Sequence, residues 1–314
     1  ELAELGAVYD SGALSNRNVI INGNFTISQR GDYTSSTSVS DGNYYLDRWE
    51  YVEDGSPTSS LIHNTDGTVK ITTGASVTGS SRLRQKFEFS KFPRQYDNQT
   101  FTVSAKIKSN STNARINVYA GGYLSLTGTT AHSGGGSFET LTATFTTPST
   151  ISTEFSVHIG IDGASSANVS ITSGEYFEVK EIQMERGTEA TPFEHRSFGQ
   201  ELALCQRYYE RQNGQSGTTI YGVGYNESTT ISKGMIPFKV TKRAVPTVSV
   251  QNSGHFCNVS TGTTYVASSV SFDGQSPINT RYTCTSSSAS LVDGGAANLQ
   301  RFTGDAIIEI DSEL

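Results

Sequence analysis

Apolar and polar residues alternate along much of this chain. In 100–108, Phe101, Val103, Ala105 and Ile107 alternate with Thr102, Ser104, Lys106 and Lys108. In 154–161, Phe155, Val157, Ile159 and Ile161 alternate with Glu154, Ser156, His158 and Gly160. A period of two marks strands with one buried and one wet face. Segments 82–89 and 138–146 follow the same rule. Runs near 19–28, 47–53, 68–73, 114–119, 167–172 and 175–183 bring the first part of the chain to about ten expected strands. Asp-Gly pairs begin at Asp41, Asp54, Asp66, Asp162, Asp273 and Asp293, and Asn-Gly pairs at Asn22 and Asn213. Both dipeptides accept the positive φ that tight reversals demand. Many antiparallel strands joined by such turns predict a sandwich or jelly roll.

The period changes once. In 197–211 (SFGQELALCQRYYER), Leu202, Cys205 and Tyr209 fall on one stripe of a helix. Ser197 with Gln200 spells a capping box, and Asn213-Gly214 supplies a stop. Strands resume near 218–225, 229–240, 247–251, 263–272, 278–284 and 305–310, while 185–194 and 286–297 read as loops. The expected architecture is all-β: two β-sandwich, jelly-roll-like domains joined by one short α-helix. Its parts are 1–16, a linker or the end of a longer shaft; 17–196, the first jelly roll; 197–213, the connecting helix; and 214–314, a smaller sandwich. Leu202 and Tyr209 are the residues expected at a trimer or domain interface.

Composition narrows the function. Of 314 residues only 17% are charged, and the formal net charge is −7. Nucleic acid needs clustered Lys and Arg. The one concentration, Arg82, Arg84, Lys86, Lys91 and Arg94, alternates with Leu83, Phe87 and Phe89 and reads as the solvated face of one strand. No stretch reaches the ~20 apolar residues of a membrane helix, so no membrane insertion is expected. The start, ELAELGAVYD, has neither the apolar core of a signal peptide nor an initiator Met, and reads as part of a longer polypeptide. Three cysteines are too few and too scattered for a disulfide framework. Cys257 and Cys284 lie in neighbouring strand-like segments and could bridge.

Enzyme signals are thin. The chain has no His-Glu-x-x-His, Cys-x-x-Cys, Gly-x-Ser-x-Gly or phosphate-loop motif, and no catalysis is expected. Glycosidases use paired carboxylates, but Glu50 with Glu53 and Glu178 with Glu181 point to opposite faces of regular strands. Aromatics are the stronger signal, because Tyr and Trp offer a sugar an apolar face and a polar tip. The candidate carbohydrate contacts are Tyr119 and Tyr123, which flank Gly121-Gly122 in a loop-like place, with Tyr51 and Trp49. Trp49 also fits a core position in the alternation Arg48-Trp49-Glu50.

Three segments carry a family resemblance. Asn16-Arg17-Asn18-Val19-Ile20-Ile21-Asn22-Gly23-Asn24-Phe25, then Gln29-Arg30-Gly31 and Tyr45-Leu46-Asp47-Arg48-Trp49, resemble the opening of the carbohydrate-binding-type jelly rolls of bacteriophage tail fibres. The segment from Ala190 to Tyr209 is similar to a junction in phage and prophage fibre proteins. Phe238 to Val250 resembles part of their C-terminal domain. The resemblance implies a receptor-binding protein exposed on the virion, a homotrimer that works with other virion tail proteins and contacts a host cell-surface glycan. It also implies a structural calcium between the first and last strands of the jelly roll. Where that opening motif often carries an acidic residue, this chain has Asn24. Glu181, in the matching closing strand, could still give the metal an oxygen.

Overall fold

The computed structural model describes residues 16–89, 95–214, 219–260 and 262–314. The chain divides into two units, Glu1–Glu201 with Leu314, and Leu202–Glu313.

Among the described residues the first unit contains β1 (Thr37–Ser38), β2 (Asn43–Leu46), β3 (Trp49–Asp54), β4 (Ser60–His63), β5 (Val69–Thr72), β6 (Val77–Lys86), β7 (Thr100–Ser109), β8 (Ala114–Ala120), β9 (Phe138–Thr146), β10 (Phe155–Ile161), β11 (Val169–Ile171) and β12 (Tyr176–Arg186). One sheet has the order β1-β4-β5-β12-β7-β9. The other has the order β2-β3-β6-β10-β8, with β11 beside β6. The alternation read from the sequence builds the layer between them. Phe101, Val103, Ala105 and Ile107 of β7 and Phe155, Val157, Ile159 and Ile161 of β10 are all buried in one core. Phe155 sits among the rings of Phe87, Tyr96, Phe101 and Phe145, at 4.8, 5.3, 6.2 and 6.4 Å.

The turn dipeptides act largely as expected. Gly42, Gly55, Gly67, Gly274 and Gly294 all have positive φ. At Gly55 a Cβ would also stand 2.3 Å from the Thr78 carbonyl oxygen. Gly163 differs, with φ −84°. The free edge of β8 is covered by the chain that follows it. Leu124 N–H donates to Val118 O at 3.0 Å, Ile116 N–H to Thr130 O at 3.0 Å and His132 N–H to Ala114 O at 2.8 Å. The same segment bonds β9 through Thr127 and Thr144, so one stretch closes the edges of both sheets.

The strand expected near 19–28 does not form. Asn22 and Phe25 have φ of 58° and 53°, which no regular strand accommodates. The segment instead follows β12, with Val19 N–H donating to Met184 O and Ile182 N–H to Gly23 O, both at 2.8 Å. Gly23 allows that approach, since a Cβ there would lie 2.1 Å from Ile182 O. The resembling motif is a knot of hydrogen bonds. The Asn22 amide donates to Ile27 O and Asp47 O at 2.8 and 3.0 Å, Trp49 Nε1 donates to Asn22 O at 3.0 Å, and Gln29 Nε2 donates to Asp47 Oδ1 at 2.8 Å. The junction motif binds the same segment. Glu194 accepts from Asn18 N–H at 2.9 Å, and Arg196 donates to Ile20 O at 2.9 Å. Glu201 accepts from Asn22 N–H at 2.5 Å.

The helix α1 (Phe198–Gln206) is shorter than the expected 197–211. Gln200 N–H donates to Ser197 Oγ at 3.3 Å, but the Gln200 amide turns to Asn16 Oδ1 at 2.8 Å, so only half of the capping box forms. The chain leaves the helix at Arg207, and Tyr209 opens a strand instead of closing the helical stripe.

In the second unit, again among the described residues, follow β13 (Tyr209–Asn213), β14 (Ile220–Asn226), β15 (Ile231–Pro237), β16 (Thr247–Gln251), β17 (Phe256–Ser260), β18 (Thr263–Asp273), β19 (Asn279–Ser286), β20 (Ala296–Arg301) and β21 (Ile307–Asp311). The all-β expectation holds. Here, however, β14-β15-β19-β18-β17-β20 close into a barrel, and β13-β21-β16 form a separate sheet. Closure needs strands that the sequence hid. β17 and β20 are rich in Asn, Ser and Gln, and β20 overlaps a stretch read as a loop. In β17 the polar side chains Asn258 and Ser260 are bonded inside the barrel. Asn226 Nδ2 donates to Ser260 Oγ at 2.9 Å, Ser232 Oγ donates to Asn226 Oδ1 at 2.8 Å, and Asn258 Nδ2 donates to Asn226 Oδ1 at 3.2 Å. Apolar alternation cannot reveal such strands. Cys257 and Cys284 are buried and free, so they do not bridge.

Candidate functional site

The outer face of the β2-β3-β6-β10-β8 sheet brings together the residues best suited to hold a ligand. On β6, Leu83 points into the core, so Arg82, Arg84 and Lys86 point out. Register then fixes their neighbours. Glu50 of β3 and His158 of β10 lie on either side of Arg84, and Asn117 of β8 lies beyond His158. One row along, Ser156 stands between Lys86 and Tyr119.

These side chains form a fixed network. Arg84 Nε donates to Glu50 Oε2 at 2.9 Å, and Lys86 Nζ lies 3.1 Å from the same oxygen. Arg84 Nη1 is 3.7 Å from Glu154 Oε1. Ser156 Oγ donates to Glu154 Oε1 at 2.6 Å and lies 2.9 Å from His158 Nε2. A carboxylate can only accept, so the serine proton goes to Glu154 and His158 Nε2–H donates to Ser156. His158 Nδ1 is then a bare acceptor, with no partner among the described residues. Burial, reinforced by Arg82, Arg84 and Lys86, holds the His158 pKa well below its usual value, so the ring is neutral at pH 7.

Tyr119 and Tyr123 stand together at the margin of this network. Their rings are perpendicular at 5.2 Å, and Tyr123 meets His158 edge-on at 5.7 Å. Gly121, with φ 73°, turns the chain so that Tyr123 comes back over β8. Both tyrosines are half-buried, with surface left to contact a ligand.

The other expected sites fall elsewhere. Trp49 and Tyr51 are 0% exposed and cannot touch a sugar. Trp49 packs 5.6 Å from Phe25, and the Tyr51 hydroxyl donates to Glu53 at 2.8 Å. Both belong to the core because β3 turns these positions inward beside Leu83. Glu50 and Glu53 do point to opposite sides. Glu178 and Glu181 do not. A bulge between Lys180 and Gln183, with φ 51° at Glu181, returns Glu181 to the outer face. There its carboxylate lies 2.6 Å from Lys106 Nζ. Among the described residues no three His, Cys, Asp or Glu side chains gather as a metal site. Leu202 is half-buried on α1. Tyr209 is buried in the second unit, where its hydroxyl donates to Glu309 at 2.7 Å. Of the basic run, Arg82 is buried between Asp54 and Asp162, not solvated, while Lys91 and Arg94 lie outside the described residues.

Sequence reading missed Arg84, Lys86, Glu154, Ser156 and His158 as site residues. Alternation placed each on a polar face, but the register that makes them neighbours was not visible.

No protein-family model matches the chain, and no curated protein matches it. Among solved structures it is similar to a chain described as CBM4, with 14% identity over 53% of this chain and 98% of the other, at a TM-score of 0.31. It is also similar to the family 11 carbohydrate-binding module of a cellulosomal cellulase of Clostridium thermocellum, with 10% identity over 50% and 98%, at a TM-score of 0.30.

Proposed function

We propose that this protein is a tail-fibre-type adhesin, displayed on a virus particle, that binds host-surface glycans without turning them over. The observation that carries the reading is the pairing of the half-buried Tyr119 and Tyr123 with Arg84, Lys86 and Glu154, which keep exposed surface on the same side of the sheet. A sugar ring asks for both features: flat apolar contact for its C–H face and fixed charged groups for its hydroxyls. The particle assignment rests on the resemblance of the opening and junction motifs to those of tail-fibre proteins. In this reading the partners are the host glycan, two further copies in a homotrimer, and other tail proteins. One such site binds weakly, and several copies on one particle convert weak contacts into avidity.

The test is binding of the full chain to host cells and to a glycan array. Tyr123→Ala and Arg84→Ala should each lower affinity about tenfold, the effect of ~1.4 kcal/mol. Folded protein that binds neither cells nor glycans removes the sugar part of the reading. Shortening of a host polysaccharide by the purified protein would overturn its non-catalytic part. A second reading, a structural fibre component, is favoured by the second unit. Among the described residues, that unit carries Ile220, Val223, Tyr225, Met235, Val245, Ile278, Val292 and Phe302 as exposed large apolar side chains.

A further inference from the structure

We infer that the outer face of β14 and β15 is an interface, covered by another copy of this chain. The face begins with Ile220, Val223 and Tyr225 on β14 and Met235 on β15, which are 51, 65, 51 and 49% exposed. A register shift between Ile220 and Gly222 turns Ile220 and Val223 to the same side. Val223 is the cross-strand partner of Met235, and Tyr225 of Lys233, so Val223, Tyr225 and Met235 are neighbours, with Ile220 on the same side further along β14. Between Val223, Tyr225, Met235 and Arg281 of β19 lies a hollow of about 520 Å³. Apolar side chains so placed on neighbouring strands make a patch, and not the scattered exposure that needs no explanation.

Area and charge select the occupant. The exposed parts of the four side chains sum to roughly 400 Å², and a standard interface takes about 800 Å² per partner, a little over half of it apolar. These four side chains therefore supply roughly the apolar share of one side of a protein interface. The charges of the face are matched. Lys233 pairs with Glu227 at 2.5 Å, and Arg281 pairs with Asp273 at 2.5 Å. The whole chain carries −7, so two copies repel in general. A locally neutral face with an apolar centre is where a like-charged copy can approach. This inference deepens the oligomer part of the reading above and does not depend on sugar binding.

The test is the solution mass of the full chain by light scattering, beside that of Val223→Asp and Met235→Asp. Both side chains project from the barrel, so the variants should fold, which circular dichroism checks. The unaltered chain should have two or three times the mass of one copy, and each variant should fall to one. Val245→Asp, at another exposed site, should keep the full mass. A monomeric unaltered chain, or an oligomer that both face variants leave intact, overturns the inference. So does a monomer whose affinity for N,N′-diacetylchitobiose falls on Tyr225→Ala, which gives the face to a sugar. Glycan binding by Tyr123→Ala is scored separately, so either reading can fail without the other.

Discussion

The ion pair between Lys242 and Glu210 offers the sharpest energetic test of the second unit. Both side chains are 0% exposed, and Lys242 Nζ lies 2.6 Å from Glu210 Oε2. Lys242 Nζ also donates to Gln206 O. Glu210 accepts from Lys239 N–H at 3.0 Å and from Gln212 Nε2 at 2.8 Å. Removing one charge strands the other in a dry site, which costs about 3–5 kcal/mol. Lys242→Met belongs at the lower end, near 3 kcal/mol, because Glu210 keeps two donors. Glu210→Gln should cost more, since the ammonium is left with neutral carbonyl partners. Burial lowers the Lys242 pKa against the opposing pull of Glu210, so the pair does not recover its full desolvation. The double variant Lys242→Met, Glu210→Gln should therefore lose less than the sum of the singles, by about 2 kcal/mol or more. Urea unfolding of the full chain would show this. With a slope of roughly 1.5 kcal/mol/M, the single variants should lower one midpoint by about 2 M. A loss below about 1 kcal/mol in both singles, or strict additivity in the double, would refute a dry pair.

Three further outcomes follow. Trp49→Ala should cost about 3–5 kcal/mol of stability; any folded remainder should keep its glycan affinity, and a selective loss of binding would place Trp49 at a surface after all. His158 has a folded pKa below its unfolded value of 6.5, so the unfolded state binds the extra proton as pH falls below about 6.5. Stability from this group is present above that pH and is lost below it at up to about 1.4 kcal/mol per unit. The slope between pH 6.5 and 5 should be shallower in His158→Gln by that amount, and equal slopes would remove the effect. Burial pushes the Cys257 thiol up to about 11 and the Cys284 thiol up to about 12. Native protein at pH 8 should leave both unlabelled by a thiol reagent and label them in urea; one labelled thiol in urea in place of three would indicate a bridge.

How much of this was legible in the residues depended on what each position needed. Strands β7 and β10 could be read directly, because a half-buried strand must alternate and each buried four apolar residues in register. The barrel strand β17 could not, because Asn258 and Ser260 turn inward and find a hydrogen-bond partner there in Asn226. Trp49 and Tyr51 misled for a related reason. An aromatic residue can serve a ligand or a core equally well, and only the inward turn of β3 decides between them. Tyr119 and Tyr123 keep exposed surface, as the glycines between them suggested, since those mark chain reversal and not burial. Their polar neighbours come from segments more than thirty residues apart along the chain (Glu50, Arg84 and His158). What joins them is strand order β3-β6-β10-β8. That order is set by long-range pairing and by the shape of the core, and no local pattern encodes it. Binding chemistry on a sheet face is therefore the part of such a protein that sequence patterns read last, even when every residue in it has been correctly placed on a polar face.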